Sequence, residues 1–334
     1  MAIIGHRFPD LLDLYKSTDG GGEWQAIMEM LAQEAPELSD ALWIECNQGK
    51  THLTTVRTGL PEVAWGRLYK GIPNSKSSRA QVTDATGFCE GRSTVDARLI
   101  DELSDGKGPQ LRLSEAEGFL QSMSQEISGK IFYGNDVENP DQFMGLAPRF
   151  SDLNAPNGSQ IVDAGGTNDT NTSIWFTTWG DNQTSLIYPK GTRAGLIRED
   201  HGKQRVEDAE GNAYYAYEET FRQHIGVSVR DWRYNARIAN IDIDDVKAGT
   251  VDLYGLMRKA YYRLQNRRNQ SGNINIYLNR DMLEALDALA TNSGNSDNFV
   301  RLTRKEVEGE EILTYRGIPL RETDALINTE ETVA

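Results

Sequence analysis

The chain has 334 residues, of which 38% are hydrophobic and 25% are charged, and its formal net charge at pH 7 is -15. This composition is typical of a folded globular protein, and the length allows one elongated domain or two to three smaller lobes. The negative charge argues against tight wrapping of nucleic acid, because phosphate contacts need clustered Lys and Arg side chains. The start of the chain lacks a signal-peptide pattern and no stretch reaches membrane-spanning length, so we expect synthesis in the cytoplasm and no membrane partner.

The first elements are predicted to be an N-terminal arm and an extended hairpin. Residues 23–34 have apolar side chains at helical spacing, and Pro36 stops this short helix. Residues 52–83 alternate β-branched and polar side chains and contain several Gly and Pro positions, which predicts two strands with polar faces on both sides. Such a hairpin has little of its own to bury, so it needs a neighbour to pack against.

A long helix is predicted over residues 114–132. Ser114 and Glu117 have the spacing of a capping box at its start. One apolar stripe follows, formed by Ala116, Phe119, Leu120, Met123, Ile127 and Ile131. At 1.5 Å per residue the helix would be about 28 Å long, enough to brace a whole domain.

The second half of the chain combines strands with two further helices. Residues 150–249 are rich in strand patterns, including a hairpin over 204–217. Helical periodicity returns over 251–267 and 280–290, and an alternating strand at 274–278 lies between them. The order helix, strand, helix predicts an α/β lobe, and the whole chain is predicted to be α+β.

The best catalytic motif is residues 87–91, Gly-Phe-Cys-Glu-Gly, which has the spacing of a nucleophile elbow with Cys89 as the nucleophile. An elbow needs a strand before it, a helix after it and a histidine within reach, such as His52 or His201. A small thiol between two glycines is the simpler interpretation, because five-residue patterns recur by chance. The four histidines lack metal-ligand spacing. We therefore predict no catalytic, cofactor-binding or metal-binding residues.

The C-terminal half of the predicted helix 251–267 is basic. It carries Arg258, Lys259, Arg263, Arg267 and Arg268. Positive charge there complements the helix dipole. The functional alternative is a contact with an anion or with another subunit.

Three parts of the sequence carry a resemblance to a known family. They are residues 130–135 with 139–150, residues 315–321 with 324–330, and, more weakly, residues 276–280. Together they resemble the major capsid proteins of tailed bacteriophages, especially podovirus-type coat proteins with the Hong Kong 97-like fold. The resemblance covers most of the chain. It implies a structural protein of the virion capsid, not an enzyme, that forms pentamers and hexamers of an icosahedral head enclosing double-stranded DNA.

The resemblance also implies a division of the chain and a set of partners. Residues 1–49 would be the N-terminal arm, 50–84 the extended loop over a neighbour, 85–249 the peripheral domain with the spine helix 114–132 and a β-rich insertion, and 250–334 the axial lobe with a C-terminal return strand. A separate scaffolding protein is implied, together with a portal and, in some members, a decoration or cement protein. Assembly would take place in the cytoplasm of the bacterial host, and the enclosed DNA would not be read by sequence.

The distribution of charged residues predicts a contact between neighbouring subunits. Basic residues of the extended loop would contact acidic residues on a neighbour's long helix. The basic residues are Arg57, Arg67, Lys70, Lys76 and Arg79, and the acidic residues are Glu115, Glu117 and Glu126.

Two other classes of function stay open at this point. One is another virion structural protein, such as a tail tube or a β-rich surface protein, although the long helix and the α/β lobe count against an all-β protein. The other is a hydrolase that uses Cys89.

Overall fold

The computed structural model describes residues 35–102, 108–168, 170–208, 211–265, 267, 272–291, 302–307 and 310–334. The helix predicted at 23–34 lies outside these residues. The described chain is an α+β protein, as predicted, and none of its described helices is both long and apolar enough to cross a membrane.

Helices and strands alternate along the chain. The α-helices of the described part are α1 Glu37–Asp40, α2 Ala97–Glu102, α3 Gly108–Tyr133, α4 Ile243–Lys247, α5 Leu253–Arg263 and α6 Arg280–Thr291. The strands are β1 Trp43–Glu45, β2 Thr51–Gly59, β3 Ser78–Ala85, β4 Gly87–Asp96, β5 Ile161–Asp163, β6 Asn171–Trp179, β7 Thr184–Tyr188, β8 Leu196–Glu207, β9 Ala213–Val229, β10 Ala236–Asp242, β11 Asn273–Leu278, β12 Thr303–Val307, β13 Glu310–Tyr315 and β14 Ile318–Glu322.

One twelve-stranded sheet joins most of the strands. Its main order is β12-β13-β14-β11-β6-β7-β9-β4, with β10 and β5 beside β6, β1 beside β7 and β8 beside β9. Strands β10 and β11 both run antiparallel to β6, and β14 runs parallel to β11, so β10, β11 and β14 point in the same direction. Strands β2 and β3 form a separate hairpin, which confirms the extended hairpin predicted over residues 52–83.

The predicted helix, strand and helix of the C-terminal lobe are confirmed as α5, β11 and α6. The buried faces of both helices share a core with strands β6, β10, β11 and β14. Helix α5 is shorter than predicted, because Leu264 already has extended backbone geometry. The Leu264 side chain is nevertheless buried in the same core. The core of this lobe therefore contains residues from before and after residue 250, the predicted start of the axial lobe.

Helix α3 confirms the predicted long helix but not its start. It begins at Gly108, so Ser114 lies inside the helix and the predicted capping box is wrong. The Ser114 hydroxyl instead donates a hydrogen bond of 3.3 Å to the carbonyl of Leu111. Most of the predicted stripe faces the core, but Leu120 is 39% exposed.

The C-terminal segment is fastened to the sheet by a buried ion pair. Arg237 of β10 contacts Glu330 at 2.8 Å, and both side chains are about 4% exposed. The Arg237 guanidinium also donates to the carbonyl of Phe150 at 2.8 Å and to the hydroxyl of Ser173 at 3.0 Å. Glu330 accepts further hydrogen bonds from Ser173 and Tyr133. Segments 130–135, 139–150 and 324–330, which carried the family resemblance, thus meet at this buried ion pair.

A second buried polar cluster holds helix α1 against the sheet. Asp40 forms an ion pair of 3.1 Å with Arg321 of β14 and accepts a 3.0 Å hydrogen bond from Tyr277 of β11. Glu37 has no exposed surface, and one of its carboxyl oxygens accepts a 3.3 Å hydrogen bond from Thr323. The other oxygen has no hydrogen-bond partner among the described residues. Burial raises the pKa of Glu37 to about 7.

Candidate subunit-interface surfaces

The root of the β2–β3 hairpin is tied to the body by buried charges. Asp84 of β3 is 3% exposed, forms an ion pair of 2.8 Å with Arg149 and accepts a 2.8 Å hydrogen bond from the hydroxyl of Ser228. Directly opposite Asp84 in the hairpin is His52 of β2. These contacts fix the direction in which the hairpin leaves the sheet, because a buried charge separated from its partner is costly.

His52 adds a second tie between the hairpin and the body. Its Nε2 atom lies 2.8 Å from the Arg230 guanidinium, and Arg230 also contacts Asp181 at 3.0 Å. Arginine has no acceptor, so the Nε2 atom accepts this hydrogen bond. Burial and the Arg230 charge lower the pKa of His52, although Asp84 and Asp181 oppose the shift. The neutral ring is therefore favoured at neutral pH.

The tip of the hairpin, residues 60–77, is almost completely exposed and carries large apolar side chains. These are Leu60, Val63, Trp65, Leu68, Tyr69 and Ile72. Trp65 is 100% exposed and Val63 is 93% exposed. A cluster of exposed apolar side chains of this size marks a protein contact surface. This surface was not predicted, because the hairpin was expected to be polar on both faces.

All five predicted basic residues lie on this hairpin. Arg57 and Arg79 are exposed and stand directly opposite each other across β2 and β3. Arg67, Lys70 and Lys76 are exposed in the tip. None of the five forms an ion pair with another residue that the structure describes. Two like charges in direct register destabilise a hairpin, which favours an acidic partner from outside the subunit.

The three predicted acidic residues lie on helix α3. Glu126 is exposed but forms an ion pair of 3.6 Å with Lys130 one turn later. Glu117 is exposed, and Glu115 is half-buried and already interacts within the subunit. Within one subunit the structure shows no hydrogen bond or ion pair between the hairpin's five basic residues and these glutamates. Contact between the two sets is therefore a prediction about two neighbouring subunits.

The nucleophile elbow proposed around Cys89 is wrong in geometry. Cys89 lies inside strand β4, with no turn at either glycine. A Cβ atom at Gly91 would lie 3.0 Å from the Phe119 ring, so this glycine serves the packing of α3 on β4. Burial, and to a smaller extent the Glu126 charge, raises the pKa of the Cys89 thiol, which disfavours the reactive thiolate.

Neither histidine considered as a partner for Cys89 stands ready to activate it. His201 contacts the hydroxyl of Thr220 at 3.1 Å and lies on β8, which is separated from β4 by β9. His52 is bonded to Arg230 at the hairpin root.

Comparison with known proteins identifies the family. A family model described as "Major capsid protein GP7" matches residues 19–334. The chain belongs to this family. It is also similar to a chain in the cryo-EM structure of bacteriophage Epsilon15, with 35% identity, a TM-score of 0.79 and coverage of 100% of this chain and 99% of that chain. No curated protein matches the chain.

The phage capsid fold extends to distant structures. The bacteriophage JBD30 capsid is 10% identical, covers 89% of this chain and 93% of its own, and has a TM-score of 0.52. At that identity the likeness concerns the fold alone. Family and fold confirm the resemblance found in the sequence: this is a major capsid protein that assembles with copies of itself into the shell of the virion. The family is one of structural capsid proteins.

Proposed function

We propose that this capsid protein builds its head from pentamers and hexamers in which each hairpin lies across a neighbouring subunit. The observation that carries the proposal is the exposed apolar tip at 60–77, which packs against no core formed by the described residues. Full burial of a large apolar side chain contributes about 1.5–3 kcal/mol. The six tip residues together would then contribute on the order of 10 kcal/mol before the costs of association.

Charge supports a docking site for the hairpin on a neighbour's peripheral region. Arg57 and Arg79 stand side by side without a carboxylate, and Glu117 of helix α3 is exposed without an ion-pair partner among the described residues. Opposite charges on two subunits raise the association rate and fix the register of the contact. We therefore propose that the hairpin's basic residues and the glutamates of α3 on a neighbouring subunit form the polar contact around the apolar tip.

The remaining functional proposals follow from the same assembly. A separate scaffolding protein and a portal would direct shell closure, and a decoration protein would bind the finished surface. The net charge of -15 suits a container that encloses double-stranded DNA without adhering to it. We propose synthesis and assembly in the host cytoplasm, and no catalytic role for Cys89.

The test is assembly of the full chain expressed in bacteria together with its neighbouring phage genes. Negative-stain electron microscopy and sedimentation should show closed shells for the wild type and their loss for Trp65→Ser and Val63→Ser. Val137→Ser is the matched control, because Val137 is 80% exposed but lies outside the hairpin. The control should assemble normally. Wild-type yields of shells from both hairpin variants would contradict the docking proposal, and absence of wild-type shells in every condition would contradict the proposed function itself.

A second test addresses the charges. Arg67→Glu with Lys70→Glu should weaken assembly, whereas the melting temperature of the free subunit should not change, because both side chains are exposed. Unchanged assembly would remove these two residues from the proposed contact.

A further inference from the structure

The strand directions define two opposite edges of the sheet in the C-terminal lobe. Strands β10, β11 and β14 run in the same direction. Helix α4 follows directly after β10 and helix α6 after β11, so both begin at the carboxyl edge of the sheet. The turn at Arg316 precedes β14 and Arg267 precedes β11, so both lie at the opposite, amino edge.

Three arginines form a basic patch at the amino edge. The guanidinium carbons of Arg267 and Arg316 lie 4.8 Å and 5.3 Å from the centre of the Tyr262 ring. Arg316 also lies 5.0 Å from the ring of Tyr261. Arg258 is exposed one helical turn before Tyr262. We call Arg258, Arg267 and Arg316 the basic patch.

The basic patch is held in place but not neutralised. Stacking on aromatic rings orders a guanidinium group without removing its positive charge. Arg316 also donates hydrogen bonds to Tyr262 and Tyr315, and its remaining donors can serve an anion. None of the three arginines forms an ion pair with any residue in the described part of the chain. The exposed Tyr262, with 56% of its surface accessible, adds a flat apolar face between the charges. Arginine and tyrosine together are enriched at the centres of protein interfaces.

The carboxyl edge carries the opposite charge. Asp244 and Asp245 of α4 and Glu284 of α6 are exposed, and helices α4 and α6 pack against each other. These three carboxylates, which we call the acidic patch, form no ion pair with any other described residue. One lobe thus presents unneutralised positive charge at one edge and unneutralised negative charge at the other.

We propose that the basic patch of one subunit contacts the acidic patch of the next subunit around the capsomer ring. The proposal deepens the proposed function and rests on it. A contact between two different surfaces of the same protein is heterologous, and such contacts generate closed rings when the rotation closes. A second copy is favoured over DNA as the partner, because a subunit with a net charge of -15 repels a polyanion while its own lobe supplies the complementary carboxylates.

The test is a charge exchange in the full chain, assembled with its neighbouring phage genes. The basic set is Arg258→Glu, Arg267→Glu and Arg316→Asp, and the acidic set is Asp244→Lys, Asp245→Lys and Glu284→Lys. Aspartate is chosen at 316 because the backbone there has a φ of 52°, which short polar residues tolerate. Each set alone should reduce the shell yield by about tenfold or more, because like charges then face each other. The two sets combined in one chain should recover most of the yield.

Two controls separate the ring contact from other causes of failure. Arg92→Glu, Lys203→Glu and Arg205→Glu change the net charge by the same amount as the basic set, lie outside the lobe and should leave assembly intact. Circular dichroism melting checks the fold, and any set that melts earlier is replaced by Arg267→Glu and Glu284→Lys with the same expectations. Normal assembly of either set alone, failure of the combined variant, or equal loss in the control would overturn the proposal. Absence of wild-type shells would instead contradict the proposed function.

Discussion

Glu37 should make the attachment of helix α1 depend on pH, and Glu37→Gln should remove that dependence. The carboxyl group is fully buried and its pKa is about 7, against an ordinary value of 4.5. A raised pKa means that the folded state prefers the protonated acid. The stabilisation is therefore complete below about pH 4.5 and is lost as the pH rises towards 7. The difference in pKa corresponds to about 3 kcal/mol in the free energy of unfolding.

The measurement is urea unfolding of the free subunit at pH 4.5 and at pH 8 for the wild type and for Glu37→Gln. The stability of the wild type relative to the variant should fall by about 3 kcal/mol between the two pH values, since glutamine cannot ionise. Glu138→Gln is the matched control, because Glu138 is exposed and its removal should leave the wild-type dependence unchanged. A wild-type minus variant difference that stays constant between the two pH values would refute the reasoning.

Two further substitutions test the buried charges that fasten the fold. Arg237→Met should cost about 3–5 kcal/mol in urea unfolding, because it leaves the Glu330 carboxylate buried without its partner, and adding Glu330→Gln should recover part of this loss. An equal loss in the single and double variants would count against the ion pair as the cause. Asp84→Asn should weaken the ties to Arg149 and Ser228 and expose the hairpin root to limited proteolysis, whereas an unchanged cleavage pattern would show that the root does not depend on this charge.

The sequence predicts local elements well where one face is strongly apolar. Helix α3 and the α5, β11, α6 unit were found because their stripes have a clear period. The start of α3 was missed because the prediction relied on the capping-box spacing of Ser114 and Glu117, although Pro109 is tolerated in the first turn of a helix. The order of the twelve-stranded sheet could not be predicted, because it depends on pairings between segments far apart in the chain.

The interface surfaces were only partly predictable for a similar reason. Charges on the hairpin are visible in the sequence, but the exposed state of Trp65 and Tyr69 is not, since an aromatic residue in a sequence normally suggests a core. The signal that could have revealed them is the density of large apolar residues without periodicity over 60–72, inside a segment predicted to be extended. The basic patch could not be predicted from the sequence, because Arg316, in the turn before β14, is far from Tyr262 along the chain and meets its ring only in the folded lobe.

The hairpin has a root that is fixed by buried polar contacts and a tip with few hydrogen bonds. This difference fits a shell in which the same subunit occupies both pentamers and hexamers. The root is held by Asp84 and His52, whereas backbone pairing in the tip is limited to a bridge at 67–70. A subunit that serves both pentamers and hexamers must make the same contact at slightly different angles. Apolar contacts tolerate such differences because they are non-directional, whereas buried ion pairs do not. In the proposed assembly, directional bonds at the root would therefore set the direction in which each hairpin leaves its own subunit, and apolar side chains at the tip would let it adapt to its neighbour.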